Sequence, residues 1–512
     1  MDRRISSING TWIQTVSISK MTIGQTNHQT ARSRDIATWD EQIDIVVVGS
    51  GAAGLSAAIE ASQAGASVIV FEKMREPGGN TRISDGSLAA PGNDLQRSRG
   101  IEDSPERFYE DMLRAGQHLN HPHLARVVAE RASEAIDWTR NVLGVKYLNR
   151  LDRFGGHSVA RCLTTQNHIG ADITNAQRVH LRKLGVDIRT CCLMTRLYTD
   201  DSGGVTGVQI EYGCDTGEEG EDRTIKNVHV NRAVILATGG FGQDSRFCAL
   251  QNPALDESVG STNHRGATAE GLIAAFRIGA LPIHLSWIQT VPEGCPDEAG
   301  YGHGARFASY AVYPDGILVD PATGHRIVSE WASRKQRSDA IFETGRICVG
   351  LVDARGAEKA ADSLQRGLKR GQVKAFEALD TLATAYGMPC AQLAATVGRY
   401  NQMVQTEKRD EFDKPLDQSE AQPLNEPPFY AIRLWPKVHY TLGGVGIDAQ
   451  AQVIGLDGCP IPRLFAAGEV CGGIHGASRL GSSALTECIV FGRIAGRCAA
   501  APGLSPERLR AI

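Results

Sequence analysis

The sequence predicts an α/β fold organised on a Rossmann-like nucleotide-binding sheet, and three observations carry that prediction. Asp44–Lys73, DIVVVGSGAAGLSAAIEASQAGASVIVFEK, reads as a buried strand, a glycine turn, an alanine-rich helix and a second buried strand. Asn231–Asp244, NRAVILATGGFGQD, supplies another continuously apolar strand that runs into a Gly-Gly turn. At 512 residues the chain exceeds the size at which one hydrophobic core stops growing, so at least two domains are expected.

The first unit explains itself residue by residue. Ile45 to Val48 are apolar and largely β-branched, as a strand covered on both faces must be. Gly49, Gly51 and Gly54 follow at G-x-G-x-x-G spacing. The first glycine permits the tight turn, the second admits a pyrophosphate, and the third lets the helix lie against the sheet. Ala52 and Ala53 open that helix, whose unpaired N–H groups attract phosphate. The second strand, Ala66 to Phe71, ends at Glu72, an acid suited to ribose hydroxyls and hostile to a 2'-phosphate, with Lys73 beside it. The flanking strand, helix, strand and acid make the motif specific, and FAD or NAD is the expected ligand. Pro77 to Gly86, PGGNTRISDG, is a glycine and hydroxyl loop directly behind the second strand.

Downstream, Ser104 and Pro105 start a helix through residue 115 as cap and first helical residue, and residues 122–143 read as another. His118, His121 and His123 lie close together, but no carboxylate pair follows at ligand spacing, so no metal is expected. Gly185 to Gly207 reads as a small β-meander. Trp, Tyr, Pro and Gly rise from 285 to 330, residues 355–406 read as helical, and Glu407–Pro428 is a charged, Pro-rich exit. Residues 1–40 are polar and mixed, expected to be a flexible extension without a secretion signal.

Composition excludes several classes. With 54 basic and 58 acidic residues there is no nucleic-acid footprint, and no apolar run is long enough for a membrane span. The 12 cysteines show no C-x-x-C, haem-attachment or iron–sulfur spacing, and a reducing cytoplasmic setting is expected.

The fingerprint, the GGNT loop, the ATGG turn and IPRLFAAGEVCGGIHGASRLG near the C-terminus together resemble the flavoproteins that include soluble fumarate reductases, urocanate reductases and 3-ketosteroid dehydrogenases. The resemblance implies FAD, held in a domain discontinuous in sequence (41–284 and 422–512) with an α+β capping domain inserted at 285–421. It implies cofactor contacts from Gly49, Gly51, Ala52, Ala53, Gly54, Glu72, Lys73, Gly79, Asn80, Thr81, Ser84, Gly86, Thr238, Gly239, Gly468, Glu469, Ser483, Ala484 and Leu485. Asn80 stands where covalent members carry a histidine, so non-covalent FAD is expected. The last helix, from about Ser482, would aim its N-terminus at the flavin pyrimidine edge.

For the substrate, the resemblance places His439 and Arg479 on a carboxylate and Arg334 as proton donor, with Arg337 as runner-up. Thr441, Gly443 and Gly444 are candidate donors to a substrate oxygen. The chain also departs from the pattern: Val291 replaces a histidine, and Tyr310 and Tyr313 replace a glutamate and an arginine of the proton relay. Those tyrosines, with Trp287 and Trp331, are expected to build the pocket. The expected chemistry is α,β-desaturation of a small keto acid or cyclic oxo-carboxylate, with hydride passing to flavin N5 and electrons leaving to oxygen or a redox protein. Reduction of a fumarate- or urocanate-like alkene acid, or 3-ketosteroid dehydrogenation, is the alternative.

Overall fold

The computed structural model describes residues 32–33, 38–154, 156–214, 223–416 and 421–501; the expected extension falls largely outside them. Its main sheet runs in the order Gln452–Ile454, Pro460–Ala466, Thr224–Leu236, Glu41–Val48, Val68–Phe71, Asp187–Arg189. The four pairings from Pro460–Ala466 to Asp187–Arg189 are parallel. Cys192–Thr199 and Val205–Tyr212 extend the sheet as an antiparallel hairpin on Thr224–Leu236. This is a Rossmann-like sheet, and its central strand Ile45–Val48 is buried on both faces as its apolar run requires.

Two helices from opposite ends of the chain cover one face together. Ala52–Gln63 packs against Ser483–Ala500, and glycine makes the approach possible. A Cβ at Gly492 would lie 2.4 Å from the Ala53 carbonyl oxygen, and one at Gly496 would lie 2.2 Å from that of Ala57. The contact thus fixes the C-terminal helix over the nucleotide turn.

The inserted region has its own antiparallel sheet, in the order Ile317–Val319, Cys348–Val352, Phe429–Leu434, Val373–Phe376. Strand alternation splits its side chains between two cores. Leu318, Val352 and Ile432 meet Phe307 and Ile341, whereas Val319, Leu351 and Ala431 meet Leu393 and Tyr400. Two expectations change here. The region 355–406 is not wholly helical, because Gly371 ends a helix in the left-handed conformation and Val373–Phe376 then pairs with Phe429–Leu434. The last strand of this sheet also lies past residue 421: Leu416, Ala421 and Leu424 of the Pro-rich exit are buried in the insert rather than forming a linker.

A charged cluster locks that exit to the sheet. Lys414 is fully buried, with Nζ 3.0 Å from Glu330 and donating to the Gly316 carbonyl at 2.9 Å. Arg326 bridges Glu330 and Asp410, both at 2.7 Å. Removing one member strands a buried charge, which costs roughly 3–5 kcal/mol. Lys414→Met is therefore expected to lower the urea midpoint of the insert by a corresponding amount, read by intrinsic fluorescence.

Candidate active site

Two adjoining cavities open along the C-terminal ends of the parallel strands. The first, of about 890 Å³, is lined by Gly49, Ser50, Gly51, Ala52, Ala53, Glu72, Lys73, Gly79, Asn80, Thr81, Thr238, Gly239, Gly468 and Glu469, among others. The second, of about 1020 Å³, is lined by Ser84, Asp85, Ser87, Phe154, Tyr301, Ser309, Arg334, His439, Tyr440, Arg479, Ser482, Ala484 and Leu485, among others. Asn80, Thr81, Glu469 and Cys488 line both.

The first cavity fits a dinucleotide. Gly49 has φ +103, and a Cβ there would sit 2.2 Å from the Ala237 carbonyl oxygen. A Cβ on Gly51, by contrast, would meet only Thr81 Oγ1 at 3.8 Å, so this glycine presents bare backbone to the cavity. No side chain caps the helix that starts at Ala52, although Ala52 N–H donates to Thr81 Oγ1 at 3.1 Å. Glu72 accepts from Ser50 N and Oγ at 3.0 and 2.6 Å and from Met74 N at 2.9 Å, which fixes its carboxylate at the cavity wall. Lys73 Nζ reaches Thr268 and lies 3.1 Å from Glu270.

Three of the expected cofactor residues stand behind the wall. Gly54 packs the helix on the turn, a Cβ there lying 2.0 Å from Gly49 O. Gly86 has φ +67 and abuts Thr165 and Ile169, and Ser483 turns its hydroxyl to Leu480 O at 2.8 Å. Neither Gly86 nor Ser483 lines a cavity.

In the second cavity the geometry gathers two guanidinium groups and an imidazole from distant parts of the chain. Arg334 opens the helix Arg334–Thr344, His439 lies on strand Lys437–Thr441, and Arg479 precedes the last helix. Gln289 accepts from Arg479 N–H at 2.8 Å, and Arg479 Nη1 donates to Leu480 O at 2.7 Å while its guanidinium lies 4.6 Å over the Tyr440 ring. Among the described residues, Arg479 Nε and Arg334 Nη1 are buried without a hydrogen-bond partner. His439 Nδ1 pairs with Thr262 Oγ1 at 2.8 Å. Burial, reinforced by Arg334 and Arg479, holds the His439 pKa well below its usual value. Burial and the neighbouring Arg334 also push Arg479 down to about 10.

The tyrosines are where sequence reasoning went astray. Tyr313 is buried beneath Arg337, its hydroxyl donating to Pro292 O at 3.0 Å, and Tyr310 turns to Asp85 at 3.3 Å; neither lines the cavity. Tyr301 does, with its hydroxyl 2.7 Å from Ser309 and its ring centroid 5.9 Å from that of His439. Asp85, also missed, lines the cavity and pairs with Arg306 at 2.9 Å. Arg337 is engaged with Glu293 at 3.2 Å. Trp287 stacks on His284 and Trp331 donates to Pro314 O, away from this pocket. Gly443 and Gly444 line neither cavity and permit close backbone contact with His284 and Val470, and Thr441 spends its donors on Glu469.

A family model described as FAD binding domain matches residues 44–485. The chain belongs to this family. The flavoprotein is 40% identical to the acrylate reductase flavoprotein subunit of Shewanella woodyi, over 90% of this chain and 91% of that one. It is 34% identical to a cytochrome-type fumarate reductase of Shewanella frigidimarina, over 90% of this chain and 77% of that one. Among solved structures it resembles the open conformation of a flavocytochrome c3 fumarate reductase, with a TM-score of 0.74 and 32% identity over 91% of this chain and 79% of that one. The flavoprotein binds FAD and is an oxidoreductase of the CH–CH dehydrogenase/reductase superfamily. Among its described residues no helix is long and apolar enough to cross a membrane.

Two buried acids adjoin the cavities. Burial raises Glu469 to about 7 and Glu487 to about 8. Tyr440 donates to Glu487 at 3.4 Å, and His475 lies 3.8 Å from it. A raised acid pKa means that the folded state holds the Glu487 proton longer than the unfolded chain does. Stability is therefore lost as pH rises through that window, from the usual carboxylate range to about 8. Glu487→Gln should match wild type in urea stability at pH 5 and exceed it at pH 9.

Proposed function

We propose that the flavoprotein reduces the carbon–carbon double bond of a small α,β-unsaturated monocarboxylate, an acrylate-like acid. The observation that carries this reading is the pairing of Arg334 and Arg479 in one cavity, each with a buried nitrogen lacking a partner. A carboxylate held by Arg479 would satisfy that nitrogen and offset the repulsion, leaving Arg334 to face the double bond. Beyond them the wall combines Ile83, Phe154, Tyr301 and Leu485 with the hydroxyls of Ser84, Ser87, Ser309 and Ser482 and the carboxylate of Asp85, which would repel a second acid group. Among the described lining residues His439 is the only other basic side chain. That wall suits a short apolar tail better than a second carboxylate. The names of the relatives support reduction: acrylate reductase at 40% identity, fumarate reductase at 34% and urocanate reductase of Eggerthella lenta at 35%. The desaturation of a keto acid expected from the tyrosines is weakened because Tyr313 is buried against Pro292 and Tyr310 stands behind Asp85 rather than on the cavity wall. The likeness to 3-ketosteroid dehydrogenases, at 23% and 20% identity, extends to the fold alone.

FAD, when bound, supplies the hydride exchange. Arg479 and neutral His439 would hold the substrate carboxylate, drawing electron density from the double bond so that its β-carbon accepts hydride. Arg334, facing the same cavity, would present a proton to the α-carbon, and its charge would stabilise the enolate-like transition state. Asn80, whose amide bonds Asn263 at 2.6 Å and the His264 N–H at 2.7 Å, offers no nucleophile for a covalent flavin link, which supports non-covalent binding. The reducing electrons would come from an external redox donor.

Anaerobically reduced protein mixed with acrylate should regain oxidised-flavin absorbance, faster than with fumarate or urocanate. Bleaching of the oxidised protein by 4-oxocyclohexanecarboxylate, with no response to alkene acids, would sink the proposal. Arg479→Lys keeps the charge but loses the forked donor, worth roughly 1.5–3 kcal/mol. It should raise KM for the acid roughly 10- to 150-fold.

A further inference from the structure

Tyr313 turns its hydroxyl to Pro292 O, and Tyr310 meets this cavity only through Asp85, which is tied to Arg306, yet CH–CH chemistry needs one proton per turnover. A continuous line of hydroxyls reaches the cavity from another side. Ser482 and Ser87 both line it, and Ser482 Oγ donates to Ser87 Oγ at 2.8 Å. Ser87 lies directly opposite Thr164 in the two-stranded sheet formed by Ser87–Ala89 and Cys162–Thr164. That register brings their hydroxyls to 3.3 Å, and Thr164 Oγ1 is 2.9 Å from Asp152 Oδ2. Asp152 in turn pairs with Arg150 at 2.8 Å, where the Asp152 side chain is 16% and the Arg150 side chain 44% exposed, so the line ends at solvent. Ser87 and Thr164 are otherwise buried.

The cavity end carries a second signal. Ser482 has φ +64, a left-handed conformation that non-glycine residues adopt at a cost of about 1–3 kcal/mol. Its hydroxyl sits at the start of the last helix, between the cavity and Ser87.

We propose that Asp152, Thr164, Ser87 and Ser482 form the proton path between solvent and the substrate cavity. The proposal rests on the CH–CH reading and extends it to proton supply. For reduction, Asp152 takes one proton from solvent and passes it to Thr164. Thr164 gives its own to Ser87, Ser87 to Ser482, and Ser482 across the shared cavity to Arg334, replacing the proton that Arg334 gives to the α-carbon, each hydroxyl gaining one proton and losing one. For oxidation the same path runs outward, the direction in which Ser482 donates to Ser87 and Thr164 to Asp152; inward transfer needs these hydroxyls to rotate, as a line of side chains that both donate and accept permits.

The test is a single-turnover experiment on FAD-loaded protein, with flavin absorbance and a pH-indicator dye read together. In wild type, proton uptake should keep pace with flavin reoxidation by the alkene acid. Thr164→Val, nearly isosteric, should slow uptake and turnover about tenfold or more with KM unchanged, most at high pH, and Thr164→Ser should restore both. Ser87→Ala gives the same reading should the valine variant fail to fold. Uptake at the wild-type rate in both Thr164→Val and Ser87→Ala would overturn the path. So would delay in Asp85→Asn but not in these variants, which would move the route to the Asp85–Arg306 pair. If wild type reacts only with saturated acids, the reduction reading fails but the path is still tested, because the dye then reads proton release.

Discussion

Arg334 and Arg479 are like charges turned into one cavity, and much of the site is arranged around that repulsion. Burial first, and then their charges, hold the Arg479 and His439 pKa values below the usual ones. Like charges so placed are tolerated where other interactions fix them. Gln289 grips the backbone of Arg479, and Tyr440 lies under its guanidinium. Arg334 is set by the capped start of its helix, where Ser333 accepts from the Gln336 N–H. An anion that binds between them is attracted by both, so affinity for carboxylates follows from charges the fold has already brought together.

That arrangement joins two parts of the chain with separate cores. Arg334 and Tyr301 come from the inserted region, whereas Arg479, Ser482 and Leu485 belong to the end of the chain that packs on the nucleotide helix. The glycines at 492 and 496 therefore matter to the substrate as well as to packing. They let the C-terminal helix seat against Ala52–Gln63, and its N-terminal turn then borders both cavities through Ala484, Leu485 and Cys488.

The nucleotide cavity was legible in the sequence because its parts are local: Gly49, Gly51 and Glu72 lie on one strand–turn–helix–strand unit whose geometry is fixed by spacing. His439, Arg479 and Arg334 were legible only through resemblance, since nothing in their spacing says they meet. The tyrosines were misread for a definite reason. Ala308–Val312 is a π-helical turn between the helices His303–Phe307 and Tyr313–Asp315. Its wider turn breaks the 3.6-residue period, so the faces presented by Tyr310 and Tyr313 do not follow from alignment by position. Tyr301, which precedes this segment, and Tyr440 line the pocket instead. The Ser87–Thr164 pairing was equally hidden, because strand register between segments far apart in sequence leaves no trace in either one.

The charge balance of the cavity also bears on which acids would react there rather than merely bind. On the proposed reading, a monocarboxylate neutralises one guanidinium and leaves the charge of the other unspent. Hydride addition to the β-carbon builds negative charge toward the α-carbon, and a positive group that is unneutralised in the ground state gains most from that development. A dicarboxylate able to reach both arginines would take up the same charge before the reaction starts. It would be held more tightly, yet the transition state would gain less relative to the bound substrate. Two arginines that form no salt bridge among the described residues thus suit a substrate with one negative charge, where binding consumes one of them and catalysis uses the other.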